Sequence, residues 1–391
     1  MTDASLGAVI APSSAARAPA LTATSLTDWA TAEPRWTRLL ATADALPFQR
    51  AAWLRAWYRH HASAAVEPLI VFVQDGGTGA DVMGVPLVRM REGAKRVIAF
   101  ADGGLTDYNA PVIGAPYPDD LPPIALWRAL RRALPRADVL RFGKMPVSID
   151  NRPNPLARMP GAQPSTIIGN VLHVPGSWDE WHWGLERTFR KELERSSRVF
   201  EKHPGAAFRR YEAGPEAERV YAALKSLQST RIAELDLPYI LDAEPARPFY
   251  DEVVREGLRD GTAVLTALTI GDEVVAALLG ISDGTHYAMT RLATPGPQWK
   301  NFSPGRMVIE RTMKMLHAEG FRAFDFTIGD YSYKRRIGVT PVPLAEVTRA
   351  LSPLGLPELV KFRLKAEVRR HPALLDRLRK LRGRKAEPLT H

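Results

Sequence analysis

The sequence predicts an α/β (α+β) protein with two tandem lobes, mixed central sheets and a basic C-terminal helix. Its 391 residues exceed a single typical core. One order of elements (helix, β-hairpin, strand, helix, strand) occurs twice, and the basic charge is concentrated near the C-terminus. The Ala/Ser/Thr/Pro-rich residues 1–25 are predicted to be disordered. The predicted lobes span 26–165 and 166–350, and the basic helix spans 351–391.

The composition is that of a globular protein, with 45% hydrophobic and 25% charged residues. No apolar run approaches the roughly 20 residues that a membrane span requires. The N-terminal region has no basic segment followed by an apolar stretch, so no secretory signal is expected. The absence of cysteine excludes disulfides, thiolate metal sites and a cysteine nucleophile. These features predict a cytoplasmic protein.

The first lobe begins with a turn and a helix at Pro47–His61, whose apolar face carries Trp53 and Trp57. Two apolar runs around a Gly-rich turn then predict a β-hairpin over Ile70–Val88. A Pro- and Asn-rich stretch, Pro146–Pro164, ends the lobe. Between the hairpin and that stretch we expect a strand at Val97–Phe100, the polar loop "ADGGLTDYNAPVIG", a helix at Leu121–Leu134 and a strand at Val139–Phe142.

The second lobe repeats this plan. Its hairpin is predicted over Val264–Ile281, with a tight turn at Gly271 and Asp272. Such a long repeat interval indicates duplication of one α/β unit rather than a solenoid, whose periods are about 20–50 residues. The other expected elements are helices at Trp178–Phe200, Glu216–Asp236, Phe249–Asp260 and Ser303–Gly320, and strands at "HYAMTRLAT" and Phe321–Ile328.

The net charge of +10 lies mostly in one segment. Lys361–Lys385 contains 11 basic residues against Glu367 and Asp376, which leaves the rest of the chain nearly neutral. A neutral body argues against a broad nucleic-acid-binding face. Apolar residues recur through 359–385 at helical spacing, so this helix either contacts anionic lipid or packs on the body with a solvated outer face.

The best candidate for a phosphate site is the start of the helix in "SPGRMVIERTM". Ser303 suits an N-cap, Pro304 the first helical position, and Gly305 permits close approach of a ligand. The unpaired N–H groups of a helix start favour phosphate, and Arg306 adds positive charge. An ordinary capped helix is the alternative.

Polar and titratable residues crowd the end of the last predicted strand in "FDFTIGDYSYK". Asp325 and Asp330 could accept a proton from an attacking amine or hydroxyl, and Tyr333 could donate one to a leaving group. Lys334 could stabilise developing negative charge. The alternative is a solvated turn with a capping aspartate.

Three segments together resemble the GNAT-superfamily branch of cellulose-biosynthesis-associated (CelD-like) acetyltransferases. They are "LPFQRAAWLRAWYRHH", "DYNAPVIG" and "SPGRMVIERTMKMLHAEGFRAFDFTIGDYSYKRRIG". The resemblance runs from about Pro47 to Gly338. The branch is similar in plan to the Fem peptidyltransferases, which have two tandem GNAT-like lobes.

This resemblance implies direct acyl transfer from acetyl-CoA or another acyl-CoA to an amine or hydroxyl, with no metal. Ser303, Pro304, Gly305 and Arg306 then fall in the pyrophosphate loop, and Asp325 and Lys334 fall in a stretch typical of the branch. Asp107, Tyr108, Asn109 and Arg231 are the implied acceptor-binding residues. An Asx-turn and a surface salt bridge are their respective alternatives. The loop lacks the usual Gln/Arg-x-x-Gly-x-Gly/Ala pattern, which keeps aminoacyl-tRNA open as the donor.

The sequence therefore predicts an acyl-CoA-dependent N- or O-acyltransferase acting on a small-molecule or glycan-related acceptor of the cell envelope or of polysaccharide synthesis. A Fem-like aminoacyl transferase is one rival. A non-catalytic scaffold for exopolysaccharide or cellulose synthesis is the other. A peripheral membrane contact through 359–385 is compatible with both the enzyme and the scaffold, and packing of this helix on the body is the alternative.

Overall fold

A computed structural model describes residues 21–118, 121–234, 240–294, 297–329 and 331–370. The strands are β1 Leu21–Leu26, β2 Ala43–Asp44, β3 Val66–Asp75, β4 Asp81–Glu92, β5 Lys95–Phe100, β6 Val112–Gly114, β7 Val139–Pro146, β8 Ser148–Ile149, β9 Arg152–Pro153, β10 Gln163–His173, β11 Ala206–Tyr211, β12 Ala263–Ile270, β13 Glu273–Ser282, β14 His286–Ala293, β15 Ala323–Asp325 and β16 Thr340–Ala350. The helices are α1 Trp29–Leu40, α2 Ala51–His61, α3 Pro123–Ala133, α4 Trp178–Gly184, α5 Arg187–Glu201, α6 Pro215–Glu234, α7 Ala246–Asp260, α8 Pro304–Ala318, α9 Ser332–Ile337 and α10 Leu356–Arg370.

One mixed sheet runs through both lobes, in the order β1-β3-β4-β5-β7-β16-β10-β15-β14-β13-β12-β11. Both predicted hairpins are present, as β3–β4 and β12–β13. Each lobe contains one parallel pair, β5 with β7 and β14 with β15. Because a parallel pair needs a crossover, α3 and α8 connect these strands. The predicted α/β class with mixed sheets is confirmed.

The last strand ties the two lobes together. β16 pairs antiparallel with β7 on one side and with β10 on the other. The sequence pattern placed β16 inside the second lobe, 166–350, and the predicted lobe boundary falls within β10. Pairing between strands about 200 residues apart leaves no mark on local periodicity, so the sequence could not reveal it.

The two lobes also share a packed helical contact. Trp53 of α2 meets Phe249 of α7 edge-on, with ring centroids 4.8 Å apart. The buried Glu252 accepts hydrogen bonds from Arg59 at 2.9 Å and His60 at 2.8 Å. Apolar burial and paired charges therefore hold α2 and α7 together across the lobes.

Four predicted segments differ from the structure. The helix predicted over Trp178–Phe200 is two helices, α4 and α5. The disordered tail 1–25 was predicted too long, because Leu21–Leu26 forms β1 on the edge of β3, and residues 1–20 lie outside the described part. The strand predicted over Phe321–Ile328 is shortened to β15, because Thr327 adopts a positive φ of 55° that extended strands do not tolerate. The basic helix is present as α10, and the rest of 351–391 beyond Arg370 lies outside the described residues.

Replacing Val347 by aspartate tests the role of β16. Val347 is fully buried in the shared core, so an unpaired carboxylate there should cost at least about 3 kcal/mol of unfolding free energy. Urea unfolding followed by tryptophan fluorescence should show one transition at a lower midpoint. Thr340→Asp, at the exposed start of the same strand, should stay within about 0.5 kcal/mol of the parent. A Val347→Asp protein that keeps the parent midpoint would contradict this role for β16.

Candidate functional site

The parallel strands of the second lobe, β14 and β15, pair only briefly. We call the region beyond their last paired position, between β14 and the end of β15, the split. β14 and β15 pair over only three positions, and the last of them joins Ala288 to Asp325. β15 then ends, while β14 continues to Ala293. The register between β13 and β14 also shifts, which leaves Thr290 as an extra residue on β14. A bulge beside an opening between strands re-aims backbone groups and is common next to active sites.

Asp325 lies at the apex of this split and is almost fully buried. Its Oδ1 accepts hydrogen bonds from the Tyr108 hydroxyl at 2.9 Å and from the Thr327 backbone N–H at 2.6 Å. Its Oδ2 lies 3.5 Å from Nε2 of His286, the first residue of β14. Asp325 therefore connects the first lobe, the loop after β15 and the start of β14.

Tyr108 enters this site from the first lobe and is also buried. Its hydroxyl both donates to Asp325 and accepts from the Asn170 backbone N–H at 3.3 Å. Gly169 makes room for the ring, since a Cβ at that position would lie 2.2 Å from the hydroxyl oxygen. Burial, together with the Asp325 charge, raises the pKa of Tyr108 well above its usual value, so the hydroxyl remains a donor.

His286 lies among three carboxylates. Asp283 accepts its backbone N–H at 2.9 Å, and the same carboxylate forms an ion pair with Arg50 of the first lobe at 3.2 Å. Burial alone lowers the pKa of His286, but Asp325, Asp283 and Asp150 outweigh that effect and raise it above the usual value. No local pattern indicated a role for His286, Asp283, Asp150 or Arg50, because the fold brings them together from three distant segments.

Asp107 is a carboxylate of the site whose pKa is raised toward neutrality. It is partly exposed beside Tyr108. Burial raises its pKa to about 6, although the Lys144 ammonium and a hydrogen bond with the Thr327 side chain act to lower it. A carboxylate with this pKa can accept a proton at neutral pH, which suits a general base.

A second network holds the loop that carries Asp107. Lys144 donates to Asp102 at 2.8 Å, and Asn109 donates to Asp102 and to the Gly143 carbonyl, both at 3.0 Å. The predicted trio Asp107, Tyr108 and Asn109 is thus split in function. Asp107 lies beside Thr327 and Asp325, Tyr108 bridges the lobes, and Asn109 supports the loop.

Lys334 is buried, and its ammonium is surrounded by backbone carbonyls. Its Nζ donates to the carbonyls of Phe326 at 2.7 Å, Ile328 at 2.9 Å and Gly329 at 3.2 Å. These contacts fix the loop that leaves β15, directly after Asp325. The charge-stabilising role predicted for Lys334 stays a prediction, and clamping of this loop is the role its contacts support.

The structure describes Tyr333, the proton donor predicted in the same segment, but not Asp330. Tyr333 is partly buried on α9 beside Tyr331, and burial raises its pKa above its usual value. This favours the protonated phenol that a donor requires. Asp330 lies outside the described residues.

The start of α8 lies at the carboxyl end of β14. Pro304 is the first helical residue, as predicted, and Gly305 packs so closely that a Cβ would lie 2.5 Å from the Thr294 methyl group. Ser303 does not act as the predicted N-cap, because its backbone is left-handed and its side chain makes no capping hydrogen bond. Arg306 pairs with Glu192 at 2.9 Å, which partly neutralises it.

The depth of the split can be estimated from strand geometry. Ala288, opposite Asp325, precedes Ala293 by five residues. At about 3.3 Å per residue the apex is therefore roughly 16 Å from the carboxyl end of β14, where α8 begins.

Two arginines of this lobe lie near β14. Arg231 is exposed on α6 and pairs with Glu234 at 3.0 Å, which matches the surface salt-bridge alternative. Arg291, on β14 itself, is fully buried; its Nε donates to Gln228 at 2.7 Å, and its guanidinium lies over the Tyr250 ring. The position of Arg291 in the sequence could have indicated a buried charge, because an arginine lies inside a largely apolar strand.

A cleft of about 650 Å³ lies in the first lobe, between the sheet and α10. Its floor includes Arg141 and Gly143 of β7, and its roof includes Lys361 and Lys365 of α10. One end is formed by the loop of Asp102, Gly103, Gly104 and Asn109. The same loop carries Asp107 and Tyr108 to the site around Asp325.

No group of three or more His, Cys, Asp or Glu side chains is placed to hold a metal ion within the described ranges. In the same part of the chain, no helix combines the length and the apolar character needed to cross a bilayer.

The second lobe matches a known domain family. Residues 187–335, from α5 to α9, match the family model of the acetyltransferase (GNAT) domain. This stretch contains β14, β15 and α8. The predicted enzyme class, a GNAT-type acyltransferase, is confirmed for this domain. The finer CelD-like branch stays a prediction, and no curated protein matches the chain.

Several solved structures share the tandem fold. A crystal structure of FemX aligns with a TM-score of 0.56 at 10% identity, covering 80% of this chain and 95% of FemX. A conserved protein of unknown function from Bacteroides thetaiotaomicron gives 0.51 at 9% identity, covering 84% and 99%. The C-terminal domain of a putative lysylphosphatidylglycerol synthetase from Agrobacterium fabrum gives 0.50 at 11%, covering 85% and 96%. At such identities the likeness establishes the two-lobe fold alone.

Gly169→Ala should break the contact between Tyr108 and Asp325. The added methyl group would overlap the Tyr108 hydroxyl, so the ring must move and the buried hydrogen bond is lost. We expect a loss of about 1–3 kcal/mol in the free energy of unfolding. Gly143→Ala is the matched control, because its Cβ would meet no atom within 4 Å. Equal urea midpoints for the two variants would contradict the proposed packing.

Proposed function

We propose that this chain transfers an acyl group directly from acyl-CoA to an amine or hydroxyl of an acceptor. The observation that supports this best is the split between β14 and β15 inside the matched GNAT domain. The pairing of β14 with β15 ends at the buried acid Asp325, and β14 continues from there toward the start of α8. An acyl-CoA has the matching form, a diphosphate at one end and a thioester at the other.

The donor would lie along β14. The positive end of α8 and the adjacent Arg306 suit the diphosphate, and Gly305 lets this helix end pack against Thr294 at the end of β14. The thioester carbonyl would then lie near the bulge at Thr290, where backbone N–H groups could polarise it. Acetyl-CoA is the simplest donor of this class.

Asp107 would remove a proton from the acceptor nucleophile. The nucleophile attacks the thioester carbonyl, a bond from carbon to nitrogen or oxygen forms, and the carbon–sulfur bond breaks. The CoA thiolate leaves and takes up a proton. Asp325 would act as a positioning residue, because one of its oxygens is already held by Tyr108 and the Thr327 N–H.

The acceptor would occupy the cleft beneath α10. The loop of residues 102–109 lines the cleft with Asp102 and Asn109 and extends to the transfer site with Asp107. Lys361 and Lys365 line the cleft together with Arg141 and Arg369. Four acids line it as well (Glu92, Asp102, Glu346 and Glu358), so the cleft suits a polar acceptor rather than one of a particular charge. The sequence resemblance supports an acceptor of cell-envelope or polysaccharide chemistry.

A Fem-like aminoacyl transfer is the second candidate. The unusual helix start, with a left-handed Ser303 and an Arg306 already paired to Glu192, favours it over a standard CoA loop. Strong, salt-sensitive binding of tRNA together with no binding of acyl-CoA would support this candidate. If neither donor binds, the non-catalytic scaffold is supported instead.

Acetyl-CoA binding measured by calorimetry tests the donor. Gly305→Glu places a carboxylate at the proposed diphosphate position and should weaken binding at least 10-fold. Arg306→Glu should weaken it as well and leaves the tight contact with Thr294 intact. Gly77→Glu, in the exposed turn between β3 and β4, carries the same charge change and should bind like the parent. Equal affinity for all four proteins would reject the site.

The pH dependence of turnover tests Asp107. The rate should fall about 10-fold per pH unit below about pH 6, because the base is then protonated. Asp107→Asn should be about 10²-fold slower and lose this dependence, whereas the exposed Asp272→Asn should resemble the parent. Thiol release from acetyl-CoA with a cell-envelope extract can be followed by a thiol reagent, since the chain has no cysteine. An unchanged pH profile in Asp107→Asn would exclude it as the base.

A further inference from the structure

The structure contains a row of exposed apolar side chains on α10 and the turn before it. Leu354, Leu356, Val360 and Leu364 have exposed fractions of 59%, 52%, 54% and 61%. The last three are four residues apart, so they fall within about 80° of the helix circumference at 3.6 residues per turn. These four residues form what we call the α10 ridge.

The ridge faces away from the protein body. Phe362 and Ala366, on the inward side of α10, are at least partly buried, and Arg369 pairs with Glu346 of β16. Exposed large apolar residues are few elsewhere in the described chain, and the others are separated in sequence. They are Ile124, Val147, Ile167, Trp183 and Ile240. A contiguous exposed apolar patch usually marks an interaction surface.

The charges around the ridge indicate the kind of partner. Lys361 flanks the ridge on one side and Arg363 on the other, and both are exposed. Lys365 lies further round toward the body, and the exposed Glu367 falls within the arc of the ridge. The described α10 contains five basic residues against Glu358 and Glu367. Glu358 is directed to the body, where it pairs with Lys95. Basic residues on both flanks of an apolar stripe are the arrangement of helices that lie on anionic membrane surfaces.

We propose that the α10 ridge lies on the surface of an anionic bilayer. The apolar side chains enter the boundary between headgroups and acyl chains, and the lysines and arginines contact lipid phosphates. This docking also brings one wall of the cleft beneath α10 near the membrane, because Lys361 both flanks the ridge and lines the cleft. The inference stands on the ridge alone and does not depend on the acyl donor.

Vesicle sedimentation with the full chain tests this proposal. The parent should bind vesicles of equal phosphatidylglycerol and phosphatidylcholine, bind pure phosphatidylcholine at least 10-fold more weakly, and lose affinity in 0.5 M salt. Leu356→Gln/Val360→Gln/Leu364→Gln should bind the anionic vesicles at least 10-fold more weakly. Ile124→Gln/Ile167→Gln, two exposed apolar residues elsewhere, is the matched control and should bind like the parent.

Two further measurements separate the other occupants of the ridge. A chain ending at Arg370 should still bind anionic vesicles, and the three ridge substitutions should weaken that binding. If the shortened chain binds no vesicles, the binding belongs to residues 371–391 and the proposal fails. Light scattering should give the same mass for the parent and the ridge variant. A parent dimer that the ridge variant loses, with no vesicle binding, would assign the ridge to a second copy of the chain and overturn the proposal. Circular dichroism confirms that α10 remains helical in each variant.

Discussion

The hydrogen bond between Tyr108 and Asp325 is the contact on which the site depends. It joins two residues 217 positions apart and buries both, so a donor from one lobe satisfies a carboxylate of the other. Gly169 leaves space for the Tyr108 ring. The loop that Lys334 holds begins at Phe326, directly after Asp325. The lobes are therefore halves of one site, and neither would keep this geometry alone.

The continuous sheet explains how that contact is held in place. β16 bridges β7 and β10, and β10 carries Gly169 and Asn170 to the Tyr108 ring. Each lobe has a parallel strand pair, but the two pairs lie in different surroundings. The second-lobe split meets the start of α8, whereas the first-lobe cleft is roofed by α10. Under the proposed function, the region between β14 and β15 would hold the donor and the first-lobe cleft would hold the acceptor.

Local patterns in the sequence predicted the fold class, the two hairpins and the helix that begins at Pro304. They could do so because alternation and helical spacing are local properties. The β16 crossover, and the approach of His286, Asp283 and Asp150 to Asp325, could not be predicted, since these contacts depend on pairing between distant segments. Lys334 shows the same limit. Its position after the strand indicated a catalytic cation, whereas its burial among carbonyls indicates a structural one.

The central claim, that the donor occupies the split between β14 and β15, is tested most directly by hydrogen–deuterium exchange of the parent protein with and without acetyl-CoA. The expected result is slower exchange of backbone amides in 289–294 and at the start of α8, with little change in 141–144 of the first-lobe cleft. Protection confined to the first-lobe segment, or no protection at saturating acetyl-CoA, would contradict it.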